Sequence, residues 1–198
     1  MPLLLVIDAA SLKPYWRLWD AKESWLLLLG AFPGVTLGII FWRIADQDAL
    51  RLLIGSIAVG FVILQLARRT RAGRKRRLGP GYGILAGCGS AFATFVSHAG
   101  GPVAAVYLLS KDMSKTRYQA TTVLVFAVLN VVKDVAYTFL GAITPQTLLA
   151  GAYLVPAAFF GTWLGVVAHR AIPERVFFNV TYALLLATGS KLIFDALT

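Results

Sequence analysis

Cysteine and histidine are nearly missing from this chain, and charge is scarce. A single cysteine, Cys88, excludes an internal disulfide and any cysteine-based metal cluster. Two histidines, His98 and His169, are too few for a histidine-based metal site. No nucleophile–base–orienter arrangement, metal-ligand cluster or phosphate-binding loop occurs, so no cofactor is expected and the chain does not read as an enzyme; catalysis would have to rest on His98 or on the region of Asp134. Charged residues make up only 14% of the 198, where soluble domains carry about a quarter. β-Barrel alternation is lacking as well, which leaves the α-helix as the backbone able to satisfy itself in lipid.

What replaces charge is apolar sequence. Hydrophobic residues make up 58% of the chain, and its mean hydropathy is +0.73. Uncharged runs recur at spanning length: Ser24 to Trp42, Leu52 to Ala67, Gly81 to Ser110, Tyr118 to Val132, Val135 to His169 and Val176 to Ser190. A helix needs roughly 20 apolar residues to cross the hydrocarbon, so several runs qualify and the longest must bend or fold back. The fold class is therefore an all-α polytopic membrane protein with about six to seven transmembrane helices. Helices are predicted over about 1–12, 24–43, 48–67, 81–98, 102–110, 118–141, 146–169 and 174–197. The start, "MPLLLVIDAASLKPYW", lacks a basic n-region and a cleavage site and is broken at Asp8, so it does not read as a signal peptide.

The net charge is +10, and seven of the cations lie in "RRTRAGRKRR", Arg68 to Arg77. Between two spans this is a short cytoplasmic loop obeying the positive-inside bias, with anionic lipid as a fitting neighbour, rather than a nucleic-acid site. The linker 68–80 divides the chain into a membrane segment 1–67 and a second one, 81–198. These two segments share an order of features. Pro33 and Gly38 are followed by an apolar stretch, a polar turn, Arg51 and another apolar helix; Pro156, Gly161 and Arg175 repeat the order about 123 residues later. The offset places the counterpart of 81–110 before Met1, so the first repeat is expected to be incomplete: either the start is set too late or the protein is a genuine short form.

The segment 81–110 contains "FVSHAGGPVAAVYLL", in which Gly100-Gly101-Pro102 interrupts a helix. Glycine and proline are the poorest helix formers, and thirty uncharged residues as one straight helix would run to roughly 45 Å. Two topologies follow: a re-entrant hairpin, or one broken crossing. The hairpin puts nearly every basic loop on the cytoplasmic side and inverts the second repeat relative to the first. In either, the start of 102–110 offers unpaired N–H groups and the positive end of a half-helix dipole to an anion. Ser97 and His98 flank the break, and Ser90, Thr94 and Ser97 share one helical face, open to a site or to a packing seam.

A second feature is "LNVVKDVAY", Leu129 to Tyr137. Lys133 and Asp134 lie well inside an apolar run, where charge is costly and faces a partner or a water path. Asn130, Asp134 and Tyr137 fall on one face. Lys133 could supply positive charge to an anion or snorkel to the interface.

Gly83 to Gly141 resembles the second-repeat core of the sulfite exporter TauE/SafE family: Gly87, the Gly100-Gly101-Pro102 break, Leu108-Leu109, a basic turn with Lys115 and Arg117, then Asn130, Lys133 and Tyr137. The resemblance implies an inner-membrane, multi-pass transporter of two related halves that moves sulfite or other small organosulfur or organic anions. On this reading, substrate binding falls to Ser97, His98, Gly100, Gly101, Pro102, Asn130 and Lys133, and proton coupling to His98 or Asp134. Expected partners are the small anion, membrane lipids, and a second copy or another membrane subunit. The alternative is a non-transporting accessory or assembly subunit that keeps the transporter fold.

Overall fold

The computed structural model describes residues 2–41, 46–70, 78–97, 99–139 and 145–197. Every regular element among them is helical: α1 (Pro2–Leu12), a 3₁₀ turn (Lys13–Tyr15), α2 (Ala21–Phe41), α3 (Gln47–Thr70), α4 (Pro80–Ser97), α5 (Gly101–Leu109), α6 (Lys115–Phe139), α7 (Pro145–Ala171) and α8 (Glu174–Leu197). Four of these helices are long and apolar enough to cross a membrane: α2, α6, α8 and the Gly151–Ala171 stretch of α7. The chain is a polytopic α-helical membrane protein.

The predicted elements and the observed ones agree closely, and their differences have local causes. α2 starts three residues earlier than predicted because Asp20 caps it. The Asp20 Oδ1 accepts the Glu23 N–H at 3.1 Å, and Glu23 stands three positions on, as in a capping box. α7 runs to Ala171, with Ile172 N–H still bonded to Ala168 O at 2.9 Å, and stops where Pro173 cannot donate. Pro33 and Pro156 lie inside α2 and α7. Within the linker 68–80, residues 71–77 lie outside the described residues.

The chain forms two compact units. The first comprises Met1–Ser24 and Lys115–Phe177, and the second Trp25–Ser114 and Phe178–Thr198. In the first, α1 packs against α6 and α7. Val125, Ala127 and Leu129 of α6 are buried, as is Tyr15 of the 3₁₀ turn. Thr121 is fully buried, and its Oγ1 accepts the Asp20 N–H at 2.9 Å.

In the second unit, small residues let helix backbones touch. Gly30, Gly34 and Gly38 recur every fourth residue on one face of α2. A Cβ on Gly30 would strike the Ile84 carbonyl, one on Gly34 the Cys88 carbonyl, and one on Gly38 the Phe95 side chain. Gly87 of α4 returns the contact against the Leu27 carbonyl. This is small-xxx-small packing, in which close approach replaces a hydrophobic driving force that lipid does not supply. α3 and α8 meet in the same way at Gly55 and Gly189. Large apolar side chains point outward elsewhere: Phe32 is 80% exposed, Tyr153 79% and Phe139 88%, as suits residues that face lipid.

Candidate functional site

The second unit holds the broken helix. α4 ends at Ser97 and α5 begins at Gly101, so Gly101 takes the first helical position and Pro102 the one after it. The chain then doubles back on itself. Ser90 Oγ of α4 donates to Gly100 O at 2.8 Å, and a Cβ on Gly100 would collide with Thr94 Oγ1 and the Ser90 carbonyl. Further along, a Cβ on Gly83 near the start of α4 would strike the hydroxyl of Tyr107 near the end of α5. Lys111 Nζ donates to Leu78 O at 2.9 Å and lies 4.5 Å from the centroid of the Tyr107 ring. These contacts pair early α4 with late α5 and late α4 with early α5, so 81–110 is an antiparallel hairpin and not two collinear halves.

The break satisfies much of its own backbone. Ala99 N–H bonds Ala93 O and Ala104 N–H bonds Gly100 O, both at 3.3 Å. Ser90 supplies a second donor to that Gly100 carbonyl. Within lipid every freed polar group needs such a partner. By helix geometry the N–H groups of Gly101 and Val103 have no intrahelical acceptor, and they are the donors the α5 start can offer to an anion. Ser97 closes α4, and His98 lies outside the described residues.

The first unit holds Asn130, Lys133 and Asp134 on α6. Lys133 is 2% exposed and does not reach solvent; its Nζ sits 5.4 Å from the centroid of the Tyr137 ring, a cation–π contact. Asp134 is 7% exposed, and its Oδ2 has no hydrogen-bond partner. Asn130 Nδ2 donates to Asp8 Oδ2 of α1 at 2.8 Å. Asp8 thus joins the group although sequence reasoning had noted it only as a break in an apolar run.

A third polar group in the first unit involves His169. It stands in the last turn of α7, and the ring is buried edge-on against Tyr15, at 5.4 Å between centroids, and Phe177, at 5.3 Å. Its Nε2 lies 3.4 Å from Thr116 Oγ1, while Nδ1 has no partner. The capping role falls to Lys115, whose Nζ donates to the carbonyls of His169, at 2.6 Å, and of Ile172. Burial pushes the Tyr15 phenol above its ordinary range, and nearby Arg170 draws it back. Among the described residues no cluster of three or more metal-binding side chains occurs.

No curated protein and no solved structure matches the chain. The family model described as sulfite exporter TauE/SafE matches residues 1–192. That match takes in almost all of the 198 residues, and the chain belongs to the sulfite exporter TauE/SafE family, a family of membrane transporters.

Proposed function

We propose that this protein is a secondary transporter, a permease or exporter, for a small anion, with sulfite or an organosulfur or organic anion as cargo. The observation that carries the reading is the α4–α5 hairpin, which turns a helix start inward instead of continuing across. Glycine at 100 is required there by space, and Pro102 costs nothing in the first turn of α5, where its missing N–H has no partner to lose. The N–H groups at the head of α5 supply partial positive charge in the second unit, and Lys133 supplies a full one in the first. Ser97 and His98 beside the break, and Asn130 beside Lys133, are the remaining substrate-binding candidates.

Several finer readings belong to the same proposal. The hairpin 81–110 is re-entrant, so that the linker 68–80 and the loop 111–117 both lie on the cytoplasmic side of the inner membrane. α3 adds to the four long apolar helices as a further span. The chain carries two related repeats, 1–67 and 81–198, which pair α2 with α7 and α3 with α8; Pro33 and Pro156 inside α2 and α7 support that pairing.

Flux of sulfite into vesicles reconstituted with the purified protein tests the proposal. Transport is expected from the wild type and loss of at least tenfold from His98→Ala combined with Lys133→Ala. Unchanged flux in that variant rejects the site. No flux from the wild type, with a second membrane protein co-purifying, favours the accessory-subunit reading instead.

A further inference from the structure

Four segments of the first unit meet at one end of it. Tyr15, in the turn after α1, packs on His169 near the end of α7, and Lys115, at the start of α6, donates to the His169 carbonyl. Phe177 of α8 touches both His169 and Tyr118 of α6. The connection from α1 to α2 is tied in by Asp20, whose N–H donates to Thr121 Oγ1 at 2.9 Å. Of the membrane spans, α6 starts here and α7 stops here, so this end lies at a surface of the bilayer.

Charge at this end is one-sided. The connection carries Lys13, Arg17 and Lys22, all exposed. Lys115 and Arg117 open α6, and Arg170 and Arg175 flank the turn between α7 and α8. Three carboxylates stand against these seven cations, which leaves a net charge of +4 with His169 neutral. Of the three, Glu23 is buried, Asp20 has Arg117 at 3.9 Å, and Glu174 is exposed. Lys111 and Asp112, next along the chain before α6, add one charge of each sign.

Apolar side chains stand among these cations. The same connection exposes Trp16, at 61%, and Leu18, at 48%. The Trp16 and Trp19 rings meet edge to face, with 5.6 Å between centroids. Indole at the level where spans end suits the headgroup region, where one side of the ring is apolar and the other wet. A loop facing water alone would expose these rings unfavourably.

We propose that the 13–22 connection is a docking site for anionic phospholipid. Lys13, Arg17 and Lys22 engage the headgroup charge, and Trp16 and Leu18 lie beside the upper acyl chain. The proposal rests on the membrane-spanning fold and is independent of the transport reading. A lysine or arginine at an anionic lipid surface strengthens binding roughly fivefold, so three together select anionic over zwitterionic lipid.

Photo-crosslinking of the full chain in phosphatidylcholine vesicles tests this. The vesicles carry a small share of phosphatidylglycerol, or of phosphatidylcholine as the comparison, with a photoactivatable acyl chain, and adducts are mapped by peptide. Phosphatidylglycerol should label 13–22 at least fivefold more than phosphatidylcholine does. Arg17→Asn combined with Lys22→Gln should lose most of that preference; asparagine tolerates the left-handed φ of 60° at position 17. Where that variant fails to fold, Lys22→Gln alone should still halve the phosphatidylglycerol adducts. Arg51→Gln combined with Lys191→Gln removes the same charge from two ion pairs elsewhere and should keep the preference. Equal labelling by the two lipids overturns the docking site, as does a preference that survives loss of Arg17 and Lys22. Competition by millimolar inorganic phosphate would assign the cations to a free anion and overturn it as well.

Discussion

Lys111 donates its Nζ to the carbonyl oxygen of Leu78 at 2.9 Å, and these two residues bracket the α4–α5 hairpin. The bond fixes both ends of the hairpin at one level. On the re-entrant reading, this closure returns both flanks of the hairpin to one face of the bilayer. Lys111 is also placed over the Tyr107 ring, so the closure combines a charge-assisted hydrogen bond with a cation–π contact.

That closure predicts a labelling pattern. In a Cys88→Ala background, Gly79→Cys and Ser114→Cys introduce thiols on either side of the hairpin at exposed positions. An impermeant maleimide should reach both from the same side of oriented vesicles. Labelling from opposite sides would establish a broken crossing and remove the re-entrant reading.

Gly100 and Ser90 should differ in cost when altered. Ser90→Ala removes a donor from Gly100 O, but Ala104 N–H still bonds that carbonyl, so the expected loss is about 1 kcal/mol. Gly100→Ala forces a methyl against the Ser90 carbonyl and Thr94 Oγ1, an overpacking that costs about 1–3 kcal/mol. Thermal denaturation in detergent should rank Gly100→Ala below Ser90→Ala; the reverse order would mean that the hairpin turn is looser than the fold requires.

The α2–α4 contact gives a sharper contrast. Gly34→Val drives a branched side chain into the Cys88 backbone and should cost about 1–3 kcal/mol or more. Gly60, on α3, has nothing within 4 Å of a built Cβ. Gly60→Ala should therefore be neutral or stabilising by up to about 1 kcal/mol, since glycine is the weaker helix former. Equal effects of the two substitutions would contradict the packing.

Lys115 caps α7 rather than a site. Lys115→Met removes a charged donor shared by the carbonyls of His169 and Ile172, at an expected cost of about 1–3 kcal/mol. Amide exchange should quicken in the last turn of α7, around 166–172, and stay unchanged in α3. Uniform acceleration along the chain would assign Lys115 a global role instead.

Sequence alone conveyed the helices because membrane spans are written in uninterrupted apolar runs. It conveyed the break at 100–102 because glycine and proline carry their backbone consequences with them. The fold-back of α5 was one of two open topologies, since no local signal states whether Tyr107 returns to Gly83. Asp8 was out of reach for a similar reason: its partner, Asn130, lies 122 residues away. His169 stands with Arg170 in the last turn of α7, but only three-dimensional packing shows that its ring goes to Tyr15 and Phe177 and the capping to Lys115. The glycines at 30, 34 and 38 share a face by spacing, but only the neighbouring helix shows what that face serves.

The balance between Lys133 and Asp134 can be measured directly. Replacing Lys133 by Met removes the ammonium next in sequence to the buried Asp134 carboxylate and is expected to destabilise the fold. Adding Asp134→Asn removes that carboxylate while keeping its shape, so the double variant should be more stable than Lys133→Met alone. The pair is expected to couple by about 0.5–3 kcal/mol in a double-mutant cycle read from thermal unfolding. Tyr137 remains in both variants, so its lost cation–π contact cancels from the difference. Strict additivity would show that Lys133 is compensated by some group other than Asp134.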